Sequence, residues 1–312
     1  MTTLLTFRDN IKAIYCRYDY IFTPIVKFIL SLFIFMNINS HTGYMAILNN
    51  IFVIVALSLI GAFLPVEFIA GMGFVVLVLQ SYKVSMDVCF VGLALIMIFY
   101  CGYMRFVPKT GLLVLLVPLC YTLHLTYAIP VVAGFLVGPA AVIPVAFGLI
   151  LYQYELELNN LINVLDAVTE DDEKIQGYQY IMDALISNKE MMLTMIVFAV
   201  VILATYLVYR MSFEYSWIVA FVVGGILNIV LFLVGSVMLL VEVTIVPVLL
   251  GSIGGIIIAV LIQFFKGVVD YQRTEVLQFE DDNYYYYVKA VPKLSIAQKK
   301  ENVKHINSKS EK

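Results

Sequence analysis

The chain has 312 residues and a net charge of −3, and 62% of its residues are hydrophobic, whereas soluble domains contain roughly 45–50% apolar residues. This composition excludes a soluble globular domain and predicts an integral membrane protein, and the lack of a basic excess argues against nucleic-acid binding. The four cysteines have no metal-ligand spacing, so we expect free thiols, no metal and no cofactor.

Residues 1–20 carry apolar side chains at helical spacing with Arg8, Lys12 and Arg17 between them. This pattern predicts an amphipathic helix on the membrane surface, with an ordinary solvated helix as the alternative. A transmembrane domain over residues 21–265 follows, with seven regular spans. They are expected at Pro24–Ile38, Asn49–Leu64, Val66–Tyr82, Met86–Met104, Met191–Tyr209, Trp217–Leu240 and Thr244–Phe265.

The stretch 110–154 is apolar throughout but is interrupted by prolines and glycines. Proline removes a backbone donor and clashes with the preceding turn, so helices in this stretch should be kinked or broken. The pieces between the breaks are too short for three full crossings of a bilayer. We expect one crossing plus a re-entrant hairpin that turns near His124. Two plain, kinked crossings are the alternative.

The distribution of charge predicts the sidedness of the loops. Arg105 and Lys109 follow the fourth span, and nine Lys or Arg residues lie between Lys266 and Lys312. The positive-inside rule places both regions, and the basic N-terminus, in the cytoplasm. Segment 155–190, with nine acidic and two basic residues, is predicted to contain an extramembrane helix on the outer side. Eight crossings satisfy these assignments, whereas nine would place the basic tail outside.

Two matching Pro/Gly interruptions point to a possible transport site. The pattern PVxxG occurs at Pro130 and Gly134 and again at Pro247 and Gly251. Interruptions at corresponding positions in two halves of a chain are typical of transporter binding sites, and close helix packing through small residues is the alternative. The candidate site residues are Pro130, Gly134, Gly138, Asn228, Glu242, Pro247 and Gly251.

Polar groups within the spans are scarce. Asn228 lies near the middle of its span, where its amide needs a partner, and an interhelical hydrogen bond is its simplest role. A proton-coupled transporter would require a buried carboxylate. Glu67 and Glu242 are the two acidic residues that we expect at the spans.

Catalytic signatures are missing from the sequence. It contains no HExxH, GxSxG, Walker-type glycine loop or CxxC pair, and its three histidines are not paired at metal-ligand spacing. We therefore expect no catalytic and no metal-binding residues, and the protein is predicted not to be an enzyme.

The tail, residues 266–312, is predicted to be cytosolic and to contain a short β-hairpin that turns around Asp281–Asn283. Because an isolated hairpin is only marginally stable in water, it should dock on the membrane domain or on a cytosolic protein partner. The candidate partner-binding residues are Asp281, Asp282, Tyr284, Tyr285, Tyr286 and Tyr287.

The runs LLTFRDNIKAIY (4–15), TPIVKF (23–28), DYQRTE (270–275) and QFEDDNYYYYVKAVPK (278–293) carry a resemblance to a known family. They resemble an uncharacterised family of polytopic bacterial membrane proteins, loosely labelled as permeases, with no established activity or functional residues. The resemblance implies a multi-pass protein of the bacterial cytoplasmic membrane.

These observations predict an all-α polytopic membrane protein with about eight transmembrane helices, a re-entrant or broken-helix stretch and a short cytosolic β-hairpin tail. Its partner is the lipid bilayer, and its oligomeric state stays open. The leading hypothesis is a permease-like protein that moves a small solute or an envelope intermediate. The alternative is a membrane scaffold or assembly factor that transports nothing and recruits a cytosolic protein through its tail.

Overall fold

The computed structural model describes residues 2–167, 177–212, 215–266, 275–281 and 284–290. Most of these residues are helical. The helices are α1 (Thr2–Arg17), α2 (Asp19–Thr42), α3 (Ile51–Phe63), α4 (Val66–Val84), α5 (Met86–Phe99), α6 (Gly111–Thr122), α7 (Ile129–Leu136), α8 (Val142–Ala167), α9 (Gly177–Ser187), α10 (Lys189–Arg210), α11 (Ser216–Leu239) and α12 (Ile245–Lys266). Two strands, β1 (Glu275–Asp281) and β2 (Tyr284–Ala290), pair antiparallel.

Seven helical segments of the described chain are long and apolar enough to cross a membrane. They are Asp19–Thr42, Val66–Val84, Met86–Met104, Gly138–Asn163, Lys189–Arg210, Ser216–Leu239 and Ile245–Lys266. Large apolar side chains such as Phe52 and Leu250 are mostly exposed on the outer surface, where lipid would contact them. The predicted class, an all-α polytopic membrane protein, is confirmed.

Helix α3 is shorter than the span predicted at Asn49–Leu64. It has 13 residues, about 20 Å of helix, against about 30 Å of hydrocarbon in a bilayer. The side chain of Asn50 caps its first turn, and Pro65 follows its end and stops it. Helix α3 packs closely on α2, where the Ser31 hydroxyl donates to the Ser58 carbonyl at 3.2 Å.

Contacts between the helices fix their directions. Gln80 Nε2 donates to Asn39 Oδ1 at 2.6 Å, so α2 and α4 finish at the same end of the bundle. We call this the loop end, because it also contains the loop 43–50. Helix α5 starts there, and the hydroxyl of Tyr103, just after α5, donates to the carbonyl of Ala140. Helix α8 therefore starts at the opposite end and runs toward the loop end.

The second half of the bundle follows the same alternation. A Cβ atom on Gly138, which precedes α8, would lie 2.8 Å from the ring of Tyr206, near the end of α10. Helix α11 returns from that end, and α12 runs back beside it, where Asn228 Nδ2 donates to Ser252 Oγ at 3.0 Å. The start of α2 and the later turns of α12, up to Ile262, therefore lie at the same end of the bundle, which we call the terminal end.

The stretch 110–154 is broken, and its chain direction reverses near the predicted point. Helix α6 ends at Thr122, His124 has a positive φ of 56°, and α7 then runs back toward the terminal end. Gly138 has a φ of 78°, a conformation that favours glycine, and allows the second reversal before α8. We call α6 and α7 the helical hairpin. Helix α8 continues to Ala167, so the helix boundary predicted at Tyr154 falls inside it.

The buried apolar side chains form two clusters. The first is contributed by α2, α3, α4, α5, α6, α8 and α9, and the second by α6, α7, α8, α10, α11 and α12. Helices α6 and α8 contribute to both. Because these two helices carry residues of both clusters, they join the two halves of the membrane domain.

The described residues between 19 and 262 form one compact unit, and the described residues of the segments 1–18 and 263–312 form a second. In the second unit, Arg8 is 4% exposed, and its guanidinium lies over the ring of Phe264, 5.8 Å from the centroid. A buried guanidinium against an aromatic face is a favourable cation–π arrangement. The N-terminal helix and the end of α12 therefore contact each other.

Candidate functional site

A buried polar contact holds the helical hairpin against α11 and α12. Asn228 is fully buried, and its Nδ2 donates to the carbonyl of Tyr127 at 3.0 Å and to Ser252 Oγ at 3.0 Å. Tyr127 lies in the short 3₁₀ turn between α6 and α7. Non-helical backbone at membrane depth needs such a partner, because no water is present to provide one. The interhelical hydrogen bond expected for Asn228 is therefore present.

Glycines on α12 let the same turn approach closely. A Cβ atom on Gly251 would lie 2.9 Å from Tyr127 Cβ, and one on Gly255 would lie 2.8 Å from the Cα of Ala128. Only a residue without a side chain fits at these distances. We call Tyr127, Ala128, Asn228, Gly251, Ser252 and Gly255 the Asn228 junction. Of the predicted site residues, it contains Asn228 and Gly251.

Three other predicted site residues pack α7 onto its neighbours. Pro130 is the second residue of α7 and is buried, a position that proline tolerates because its missing N–H would have no helical partner. A Cβ atom on Gly134 would lie 2.8 Å from the carbonyl oxygen of Ile202 on α10. Gly138 lies against Tyr206 of the same helix. Close helix packing through small residues explains this group.

The last two predicted site residues do not take part in the Asn228 junction. Glu242 is exposed in the segment between α11 and α12, and Pro247 is exposed in the first turn of α12. Glu67, in the first turn of α4, is half-buried. None of the three provides the buried intramembrane group that a transport site requires.

The fully buried carboxylate of the described chain is instead Glu155, on α8. Its side chain is 0% exposed, and neither of its oxygens has a hydrogen-bond partner. It lies within the membrane-length segment Gly138–Asn163, on the buried stripe that contains Leu151 and Leu158. Sequence reasoning missed this residue, because segment 155–190 was assigned as extramembrane from its acidic composition. The helical spacing of Leu151, Leu158 and Leu161 could have shown that the buried stripe continues past Tyr154.

A second set of polar side chains lies near the loop end, on α2, α4 and α6; Asn37, Asn39 and Gln80 are buried, whereas Thr122 is exposed. Thr122 Oγ1 donates to Asn37 Oδ1 and lies 3.1 Å from His41 Nε2. The ring of His41 contacts Tyr152 of α8 edge-on, with the centroids 6.3 Å apart. Asn37 Nδ2 is buried without a partner. We call Asn37, Asn39, His41, Gln80 and Thr122 the loop-end network.

The loop that follows α2 is fastened to α8. The hydroxyl of Tyr44 donates to Asn159 Oδ1, and burial raises the pKa of this phenol. The backbone N–H of Met45 donates to Gln80 Oε1 at 2.7 Å. These hydrogen bonds join the loop 43–50 to α8 and to Gln80 of the loop-end network.

A partly open apolar cavity of about 260 Å³ lies between α6 and α7 of the helical hairpin, with Val145 of α8 and Ile258 of α12 also in its wall. Aliphatic side chains such as Leu116 and Val132 line it, together with Cys120. It can accept an apolar group, but it provides no charged group and no amide for recognising a polar solute. The described residues contain no cluster of His, Cys, Asp or Glu that could hold a metal ion.

In the tail, Asp281 is the last residue of β1 and pairs with Tyr284, the first residue of β2. Tyr285, Tyr286 and Tyr287 follow in β2 and pair with Glu280, Phe279 and Gln278. Asp282, the remaining predicted partner-binding residue, lies outside the described residues.

No protein-family model matches the chain, and no curated protein or solved structure is significantly similar to it.

Proposed function

We propose that the protein is a permease-like transporter of a small solute or an envelope intermediate in the bacterial cytoplasmic membrane. The observation that carries this proposal is the helical hairpin, which places non-helical backbone inside a bundle of membrane-length helices. In membrane proteins such backbone is tolerated only where it is buried in protein or lines a water-filled cavity. Transporters place their binding sites at broken helices of this kind.

An eight-span topology with a cytosolic tail fits the proposal. The start of α2 and the later turns of α12, up to Ile262, share the terminal end of the bundle, which supports an even number of crossings. Seven helical segments have membrane length, and in the proposed topology one shorter element crosses as well. Helix α3 continues the alternation between α2 and α4, while α6 and α7 leave and return as one re-entrant hairpin. The basic tail then lies in the cytoplasm, as the positive-inside rule requires.

The Asn228 junction is the part of the bundle at which a path would open. The junction contains two hydrogen bonds from one amide, and the Asn228 Oδ1 atom has no partner. An unsatisfied buried acceptor is available to a polar solute that reaches it. Movement of the helical hairpin against α11 and α12 would break the two bonds and expose the acceptor.

The scaffold hypothesis remains the second candidate, because the paired strands in the tail suit the capture of an extended segment of a cytosolic protein. The test is uptake of a panel of labelled small solutes into liposomes that contain either the full chain or the chain without residues 276–312. Empty liposomes are the control. Uptake above this control by both forms would support the permease. If neither form moved any solute, and a cytosolic protein bound the full chain but not the shortened one, the scaffold would replace it.

A further inference from the structure

Glu155 is a buried acid for which the described residues of the bundle provide no counter-charge and no hydrogen-bond donor. Both of its oxygens are inaccessible and unpartnered. Its neighbours one turn away on the buried stripe of α8 are Leu151 and Leu158, which are 5% and 0% exposed. Most buried polar groups in proteins have a partner, so an unpaired buried carboxyl requires an explanation.

Among the residues that the structure describes, few titratable groups lie near this part of α8, and none of them is a lysine or arginine. Tyr152 and Tyr154 flank Glu155 on α8 itself, and the Tyr154 hydroxyl already donates to Ser81 of α4. From the other elements, His41 on α2, Tyr121 on α6 and Glu190 on α10 lie near Tyr152, and Cys89 on α5 lies near Tyr154. One turn further along α8, Tyr44 bonds to Asn159. Tyr180 on α9 is directed to Glu157 instead.

An ionised carboxylate in such surroundings is strongly unfavourable, because burial removes its hydration and nothing replaces it. The neutral acid costs far less to bury. Because a carboxyl inside a membrane helix is so unfavourable, such a residue is by default interpreted as a functional group. We propose that Glu155 is a proton-binding site: it holds a proton in this conformation and releases it when the bundle opens toward water.

This inference rests on the proposed transport function and names its coupling ion as the proton. The loop-end network supports it, because polar side chains lie on the helices next to this part of α8. His41 contacts Tyr152, on the turn before Glu155, and the buried Asn37 amide has an unpartnered Nδ2. Such groups provide a polar region from which water could reach the carboxyl after a modest movement of α2.

The first test does not depend on a substrate. A hydrophobic carbodiimide reacts with a protonated, buried carboxyl: the acid proton moves to a carbodiimide nitrogen and the carboxyl oxygen bonds to the central carbon. The adduct rearranges to a stable N-acylurea without a leaving group. We expect the full-length protein in liposomes to be labelled at Glu155, as located by peptide mass spectrometry. Labelling should fall about tenfold per pH unit once the group titrates.

Glu157 provides the matched control on the same helix, because it accepts hydrogen bonds from Gln153 and Asn160 and is only partly buried. Glu157→Gln should leave the labelling unchanged, whereas Glu155→Gln should abolish it. If Glu155 stays unlabelled, or reacts equally with a water-soluble carbodiimide, the carboxyl is not a buried acid and the inference is wrong.

The second test measures coupling, with a pH-sensitive dye inside the liposomes. For any solute that the protein transports, we expect Glu155→Gln to abolish solute-dependent proton movement, while Glu157→Gln retains it. Unchanged proton movement in Glu155→Gln would overturn the inference and leave the permease intact. If the wild-type protein moves no solute although Glu155 is labelled, proton binding by Glu155 stands and the transport function fails.

Discussion

At two adjacent glycines on α12, Gly254 and Gly255, we expect Gly→Ala to change the stability of the protein in opposite directions. A Cβ atom on Gly255 would lie 2.8 Å from the Cα of Ala128, a backbone atom of the turn before α7. Nothing lies within 4 Å of a Cβ atom on Gly254. Overpacking of this kind typically costs about 1–3 kcal/mol, whereas Gly→Ala in a helix gains up to about 1 kcal/mol. The gain in helix propensity is common to both positions. The difference between the unfolding free energies of the two variants therefore reports the clash alone.

We therefore expect Gly255→Ala to unfold at lower temperature than Gly254→Ala. At about 2–4 °C per kcal/mol for a chain of this order of size, a clash of about 1–3 kcal/mol should separate the two midpoints by about 2–12 °C. Thermal unfolding of the purified protein in one detergent, followed by tryptophan fluorescence or by loss of the monodisperse fraction, measures it. Equal midpoints for the two variants, or a higher midpoint for Gly255→Ala, would refute the close approach of α12 to the hairpin turn.

Two further predictions concern the Asn228 junction and the topology. Asn228→Leu should lower the free energy of unfolding by about 1–3 kcal/mol, because it leaves the buried carbonyl of Tyr127 without a donor. Ser252→Ala keeps that bond and should cost less; an equal or larger loss would contradict the assignment. In a cysteine-free background, Ser308→Cys should resist a membrane-impermeant thiol reagent in intact cells and react after lysis. Reaction in intact cells would rule out the cytosolic tail.

The apolar composition of the chain was sufficient to predict its class and most of its membrane helices. Hydropathy is a sum over local residues, and a bilayer demands the same property from every span. The turn near His124 was also predictable, since proline and glycine interrupt helices wherever they occur. Helix ends were predicted less accurately: α3 is shorter than expected, and α8 is longer.

The candidate site was only partly predictable from sequence. Asn228 was identified because an amide in a membrane helix needs a partner, but its partner, a carbonyl about 100 positions away, follows from the packing of α11 on the hairpin turn. Glu242 was selected for its proximity to a proline, and the structure leaves it exposed. Whether a residue near a helix end faces protein or solvent depends on its neighbours in space.

Glu155 shows the same limit most clearly. In the sequence it is one of nine acidic residues in segment 155–190, and the composition of that segment predicts a solvated region. In the fold, Glu155 lies on the buried apolar face of α8, so its side chain points into the packed interior. The sequence alone therefore determined that this protein is a bundle of membrane helices with a broken pair in the middle. Tertiary packing decided which carboxylate is buried, because burial depends on the helix face that meets a neighbour rather than on local charge.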